Sequence, residues 1–272
     1  RDLGVFSQII PFNNLKEKSF KISEVKGLIF SGGPSSVGNE NAPEIKNFVY
    51  KLNIPILGVC YGLQLICRDF GGQVKLSKER EFGKTKVKIL KNSPLFKNAY
   101  IKGNQYKVWM SHSDKVIKMP DGFEVLANST SCSSVIIQNL NKKIFGVQFH
   151  PEVVHTQKGD ILLKNFIVNI CGCKQSWSMN KFKNKMVKSI KNEVGSDRVL
   201  CALSGGVDST VTAVLVHKAI ENKLQCVFVD TGLMRRNEVE IIKNLFKKNY
   251  NISLDVIDAS KSFLKKLKDV TD

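Results

Sequence analysis

Cys60 is the residue in this sequence best placed to do chemistry. Glycines stand two residues before it and two after, in Gly58-Val59-Cys60-Tyr61-Gly62. An apolar run of strand character, Ile54 to Val59, ends at the cysteine. An apolar segment of helical character, Tyr61 to Phe70, begins directly after it. That is the pattern of a nucleophile elbow, a tight strand-to-helix turn that lifts one side chain above a sheet. The glycines let neighbouring backbone approach without a Cβ clash, and the positive end of the following helix favours thiolate. A buried cysteine on a core strand is the plainer reading. The paired glycines and the switch from strand to helix favour a nucleophile.

A nucleophilic thiol needs a base. Of four histidines, His150 is the best candidate: Phe149-His150-Pro151-Glu152 ends an apolar run, and the carboxylate two residues on can orient the imidazole through its other nitrogen. His112, in Trp109-Met110-Ser111-His112-Ser113-Asp114, competes for the role. His155 and His217 have no comparable context.

A second chemistry is written at Ser204-Gly205-Gly206-Val207-Asp208-Ser209. Two glycines expose backbone N–H groups, serines add hydroxyls, and the N-terminus of the helix that follows adds its dipole. Together these form an anion site suited to phosphates. No lysine follows the last glycine, so this is not a Walker loop, and no G-x-G-x-x-G follows a strand. Asp208 would be misplaced beside a naked anion but fits as a ligand of a phosphate-bound magnesium ion. A capped serine- and glycine-rich turn is the alternative.

The elements that must position these residues are readable in outline. Val25 to Phe30 is a buried strand running into Ser31-Gly32-Gly33-Pro34-Ser35-Ser36, Glu44 to Leu52 has helical spacing, and Pro55 opens the cysteine strand. Successive strand–loop–helix units imply a parallel sheet with its site at the carboxyl ends of the strands, so Ser31–Pro34 and Cys60 share one crevice. Residues 73–149 differ. Short alternating runs (Lys86–Leu90, Tyr106–Met110, Gly122–Leu126, Val135–Gln138, Ile144–Phe149) predict an antiparallel meander. Gly159 to Ile170 is a closing helix, and Cys171 to Met179 reads as a linker.

Strand–helix alternation then restarts. Helices are expected at Lys181–Val194, Val207–Ile220, Asn237–Asn249 (with an asparagine cap) and Ser260–Lys268, and strands at Arg198–Leu203, Leu224–Val229 and Ile252–Ile257. The predicted class is α/β in two domains, each a mainly parallel open sheet flanked by helices: residues 1–172, a linker 173–180, and residues 181–272.

Composition bounds the rest. With 272 residues, 42% hydrophobic and 24% charged, the chain is of soluble globular type. No run reaches the roughly 20 apolar residues of a membrane helix, and no signal peptide is evident, so no membrane association is expected. Seven cysteines, odd in number and mostly in apolar runs, fit a reducing compartment, here the cytoplasm. The formal net charge of +18 raises nucleic acid as a partner. However, only six of the 42 basic residues are arginine, and the lysines are spread along the chain, so no nucleic-acid binding is expected.

The segments Gly58–Gln64 and Gly146–Glu152 resemble the class I (triad) glutamine amidotransferases, and Ser204–Ser209 resembles the pyrophosphate loop of N-type ATP pyrophosphatases. The two in this order on one chain resemble the family of glutamine-hydrolysing GMP synthases. Val108–His112, Val229–Arg235 and Asp258–Ser260 are further matches. The resemblance covers nearly the whole chain. It implies a flavodoxin-like amidotransferase domain followed by an adenine-nucleotide α-hydrolase-like domain.

In the first domain Cys60, His150 and Glu152 would be catalytic, Gly33 and Tyr61 would supply an oxyanion hole, and Gln64, Ser111 and His112 would bind glutamine. In the second, Ser204, Gly205, Gly206, Val207, Asp208, Ser209 and Val229 would bind ATP, with Mg2+ at Asp208. XMP would be the acceptor, ammonia would pass between the domains, and the whole protein would be a homodimer. Three departures stand out: Arg1 falls after the family's usual first strand, Ser113 stands where glycine is usual, and the lid and dimerisation domain that usually follow are not in this sequence. A different acceptor for the same chemistry, or a non-catalytic nucleotide-binding homologue, are the alternatives.

Overall fold

The computed structural model describes residues 1–16 and 24–271; Asp272, which closes the second predicted domain, lies outside the described residues. The chain divides into two compact units, Arg1–Ser176 and Trp177–Asp272.

The first unit is built on a seven-stranded sheet of order β1-β2-β7-β6-β5-β3-β4. Its strands are β1 (Leu28–Phe30), β2 (Ile56–Val59), β3 (Gln73–Ile89), β4 (Gln105–Lys118), β5 (Glu124–Asn128), β6 (Ile136–Asn139) and β7 (Ile144–Val147). The predicted parallel order holds for the strands that carry Cys60 and His150: β2 pairs parallel with β1 on one side and β7 on the other. The remaining pairs are antiparallel, as the alternating runs imply.

The β1-β2-β7 register pairs Phe30 with Gly58 and Val59 with Val147. The residues that leave these strands at their carboxyl ends therefore emerge together. Those residues are the Ser31 loop, Cys60 and the segment from Gln148 to His150.

Helix α2 (Tyr61–Asp69) lies over this sheet with Leu63, Ile66 and Cys67 fully buried. Each such aliphatic side chain contributes about 2 kcal/mol by leaving water. Helix α1 (Phe48–Lys51) is one turn, shorter than the predicted Glu44–Leu52, and buries only Val49. One anchored side chain does not offset the cost of a longer helix. The predicted closing helix is α3 (Gly159–Lys164) running into a wide π turn, Asn165–Ile170.

The second unit has a three-stranded parallel sheet of order β10-β9-β8: β8 (Val199–Leu203), β9 (Leu224–Asp230) and β10 (Leu254–Asp258). Its helices are α4 (Met179–Val194), α5 (Val207–Ile220), α6 (Glu238–Asn244) and α7 (Ser260–Leu267). Phe228, Cys226, Ala213 and Phe246 are among the side chains of its core.

The expected asparagine cap at Asn237 is not formed. Asn237 sits in the left-handed region at φ 62 with no side-chain capping bond, and the Glu238 carboxylate instead accepts the Arg235 N–H at 2.8 Å. Among the described residues no helix is long and apolar enough to cross a membrane. All seven cysteines are free thiols.

Candidate active site

Cys60 occupies the turn between β2 and α2 in a strained conformation, φ 51 and ψ −105, of the kind that costs about 1–3 kcal/mol and persists only where its surroundings impose it. They do so through the two glycines. A Cβ on Gly58 would lie 2.6 Å from the Gly62 carbonyl and the Leu63 nitrogen, and one on Gly62 would lie 2.2 Å from the Phe30 carbonyl oxygen. The elbow closes only because neither side chain exists. Gly62→Ala, which meets backbone and not a movable side chain, should destabilise the unit by about 3 kcal/mol or more; chemical unfolding monitored by fluorescence measures it.

Cys60 is only 4% exposed and sits within the buried core of the unit, yet polar groups reach its sulfur. The thiol donates to the Ser111 carbonyl at 3.6 Å and accepts from the Gln148 side-chain amide at 3.7 Å, and the His150 ring lies beside it, both of them against Gly32. On the other side of the imidazole, Nδ1 is 2.7 Å from Glu152 Oε1.

The backbone of His150 is fixed to β4. Its N–H donates to the Trp109 carbonyl at 3.0 Å, its carbonyl accepts from the Thr156 hydroxyl at 2.6 Å, and that hydroxyl in turn accepts the Trp109 N–H at 3.0 Å. A thiol, an imidazole and a carboxylate in this line can transfer a proton from sulfur and deliver it to a leaving group.

The bond to the Cys60 sulfur first, and the bond to Glu152 second, hold the His150 pKa up at about 10 against partial burial, which lowers it. Burial pushes the Glu152 carboxyl up, but the hydrogen bond from His150 outweighs it and the net shift is downward. Because the folded value of His150 lies above its ordinary 6.5, its stabilising contribution is complete below about pH 6.5 and is lost as pH rises toward 10. An NMR titration of the imidazole should therefore have its midpoint well above 6.5. It should drop further in Cys60→Ala than in Glu152→Gln, since sulfur is the larger cause; the reverse order would refute the assignment.

The other residues predicted for this site lie as follows. Gly32 is the glycine against the pair: a Cβ there would be 3.0 Å from the His150 ring and 3.6 Å from the Cys60 Cβ. Gly33 lies against the Tyr61 ring, with a Cβ 3.9 Å from it. Tyr61 opens α2, where first-turn N–H groups lack helical partners. Gln64 is buried one turn into α2; its amide donates to the Asp114 carbonyl at 3.1 Å and to Gln148 Oε1 at 3.3 Å.

His112, the rival candidate for the base, has both ring nitrogens engaged away from the sulfur. Its ring is buried, with Nε2 3.1 Å from Glu81 and Nδ1 3.0 Å from the Asp114 carbonyl. Ser111 contributes its carbonyl to the sulfur. Gln148, Gly32 and Glu81 were not singled out from the sequence. Gln148 carried a signal as a lone amide inside the apolar run before His150, and Gly32 as part of the glycine loop after the first strand; Glu81 carried none.

In the second unit the Ser204–Ser209 loop bridges β8 and α5. Gly205 turns at φ 80, with the space its Cβ would fill taken by Ile242 at 2.7 Å. The hydroxyls of Ser204 and Ser209 lie 3.1 Å apart; Ser209 donates to the Gly206 carbonyl at 3.1 Å, and Ser204 Oγ accepts the Gly206 N–H at 3.3 Å. Val207 is exposed at the opening of α5, with Asp208 exposed beside it in the first turn.

The loops after β9 and β10 leave the same edge of this sheet, because Asp230 and Asp258 are register partners. Asp230 accepts the Gly232 N–H at 2.9 Å, and Asp258 accepts the Ser260 N–H and hydroxyl at 3.0 and 2.6 Å. Val229, the last residue but one of β9, is exposed. The edge thus offers backbone, hydroxyls and carboxylates. The exposed Asp208 suits a magnesium ion that takes one carboxylate together with phosphate oxygens and water.

Residues 1–170 match the family described as glutamine amidotransferase class-I, and residues 179–272 match the family NAD synthase. The chain belongs to the class-I glutamine amidotransferase family. Among its relatives, the protein called GMP synthase (glutamine-hydrolyzing) of Clostridium kluyveri is 44% identical over 272 residues, covering 100% of this chain and 52% of that protein. The protein of the same name from Carboxydothermus hydrogenoformans is 46% identical over 273 residues, covering 100% of this chain and 53% of that one. The chain spans about half the length of the curated relatives it matches.

Proposed function

We propose that this chain carries the glutamine-hydrolysing and ATP-binding parts of a GMP synthase. The observation that carries the reading is the Cys60–His150–Glu152 line at a glycine-enforced elbow, followed on the same chain by a lysine-free phosphate loop. Relatives named for that activity match both parts without a break.

In the proposed glutaminase half-reaction, His150 takes the Cys60 proton and the sulfur attacks the side-chain carbonyl carbon of glutamine. The N–H groups of Gly33 and Tyr61 hold the oxyanion, and His150 returns the proton to the departing ammonia. Water then releases glutamate from the thioester, with Glu152 keeping the imidazole oriented. Gln64, Ser111 and His112 line the glutamine side of the site.

In the second unit, the backbone of Gly205, Gly206 and Val207 with the hydroxyls of Ser204 and Ser209 grips the β- and γ-phosphates of ATP, and Val229 borders the adenine. Asp208 would hold magnesium, which supplies neutralising charge to those phosphates when bound. A loop that grips the leaving diphosphate leaves the α-phosphorus open, so XMP is adenylated on its base and ammonia then displaces AMP to give GMP. The enzyme would act in the cytoplasm as a homodimer.

The decisive experiment is diphosphate release by the whole protein given ATP, XMP and either glutamine or ammonium. Release that requires XMP supports the reading. Release with another acceptor and none with XMP replaces it with a sister synthetase.

A further inference from the structure

The sulfur of Cys60 stands at the end of a buried chain of hydrogen bonds that the triad does not need. Glu81, on β3, accepts from the hydroxyls of Ser129, at 2.9 Å, and Ser131. Burial pushes its carboxyl up, but hydrogen bonds from His112, Ser131 and Ser129 outweigh it and bring the pKa down to about 2, so Glu81 only accepts.

His112 sits between this carboxylate and the Asp114 carbonyl. Both partners are acceptors for the ring. The same Asp114 carbonyl accepts one N–H of Gln64, and the other N–H of Gln64 goes to Gln148 Oε1. Gln148, fully buried, has its Nε2 3.7 Å from Cys60 Sγ.

The direction of this chain matters more than its length. An amide can turn its oxygen or its nitrogen to a neighbour. Here a backbone carbonyl, which can only accept, obliges Gln64 to present N–H. Gln64 thereby obliges Gln148 to present oxygen on that side and N–H on the other. The sulfur therefore faces a donor whose orientation is set through Gln64 by Asp114 and anchored by His112 and Glu81.

We propose that Gln148 is a positioning residue for the nucleophile: its side-chain N–H, oriented by Gln64 and the Glu81–His112 anchor, holds the Cys60 sulfur in place and favours its thiolate form. The inference rests on the reading of Cys60 as nucleophile. A hydrogen bond to an ionised acceptor is stronger than one to its neutral form, so losing the donor disfavours the anion. The titratable groups that bear on the sulfur are His150, in contact from the segment after β7, and Glu152 behind it. Strand β4 presents the uncharged Ser111 carbonyl, and the loop after β1 presents Gly32.

The test is the pH dependence of Cys60 alkylation by iodoacetamide, followed by mass spectrometry, alongside glutaminase kinetics in the whole protein. In Gln148→Met the alkylation midpoint should rise by about one pH unit or more, a tenfold loss of thiolate at fixed pH. Glutaminase kcat should fall about tenfold or more, with KM for glutamine within about threefold. Gln148→Glu, close in shape, should raise the midpoint further by placing carboxylate oxygens on the sulfur, and it serves if the methionine variant does not fold. Gln64→Met should raise the midpoint less, because it frees the amide to turn.

An unchanged midpoint in Gln148→Met and Gln148→Glu overturns the proposal, as does a loss confined to KM. If Cys60 of the unaltered protein resists a glutamine-analogue electrophile, the nucleophile reading falls and the proposal with it.

Discussion

Cys60→Ala in the whole protein abolishes glutamine-dependent synthesis and leaves ammonia-dependent synthesis close to its original rate. The loss should be large because the sulfur forms and breaks the only covalent bond between enzyme and substrate in the half-reaction; removing the nucleophile in hydrolases of this logic costs roughly ten-thousand-fold or more. The substitution is also structurally mild. The Cys60 N–H that closes the sheet onto the Val147 carbonyl at 2.8 Å belongs to the backbone and remains, and the sulfur's partners Gln148 and Ser111 keep their other contacts. The left-handed φ of 51 is a burden alanine bears as cysteine does. Supplied ammonium bypasses the thioester, so the second unit has what it needs. Assays of AMP formation with each nitrogen source, run on the same preparation, separate the outcomes. An equal loss with both sources would mean that Cys60 holds the fold and not the reaction.

Much of this site was legible in the sequence because its chemistry is local. Two glycines around a cysteine state the elbow on their own, and the close approaches of Gly58 and Gly62 to backbone explain why no other residue would serve. His150 and Glu152 are two residues apart and pair directly. The phosphate loop is likewise one continuous turn between a strand and a helix, and α5 starts and stops where its pattern does.

What escaped the sequence is what depends on distant segments. Gln148 matters through Gln64 and Cys60, 84 and 88 residues away. His112 looked like a second candidate base until Glu81, 31 residues upstream, proved to hold its other nitrogen. The long strands β3 and β4 were visible only where apolar residues alternate. Beyond those stretches they form a two-stranded ribbon rich in lysine and glutamate with a register shift between Leu76 and Glu81, and their few buried side chains, such as Val116 and the polar Glu81 and His112, do not alternate in a pattern the sequence shows. Asn237 has the residue type of a cap, but a φ of 62 turns its side chain from the role, a choice made by the turn before it.

The phosphate loop leads to the second large effect. In Ser209→Ala the hydroxyl that joins the Ser204 N–H, the Ser204 hydroxyl and the Gly206 carbonyl is lost, so the loop loses the cross-brace that keeps its N–H groups convergent. In Asp208→Asn the charge that would hold magnesium is lost while size and helix position are kept. Either change should reduce XMP-dependent diphosphate release by roughly a hundredfold or more, the scale seen when a single donor to developing negative charge is removed. Basal glutaminase activity, read as glutamate formed without ATP or XMP, should stay within about twofold, since every group acting on glutamine lies in the first unit. Asp208→Asn adds a second signature: excess magnesium should restore part of the rate if the lost carboxylate weakened metal binding, whereas Ser209→Ala should not respond. Diphosphate release at the original rate in both variants would leave the loop as a capped turn with no hold on the nucleotide.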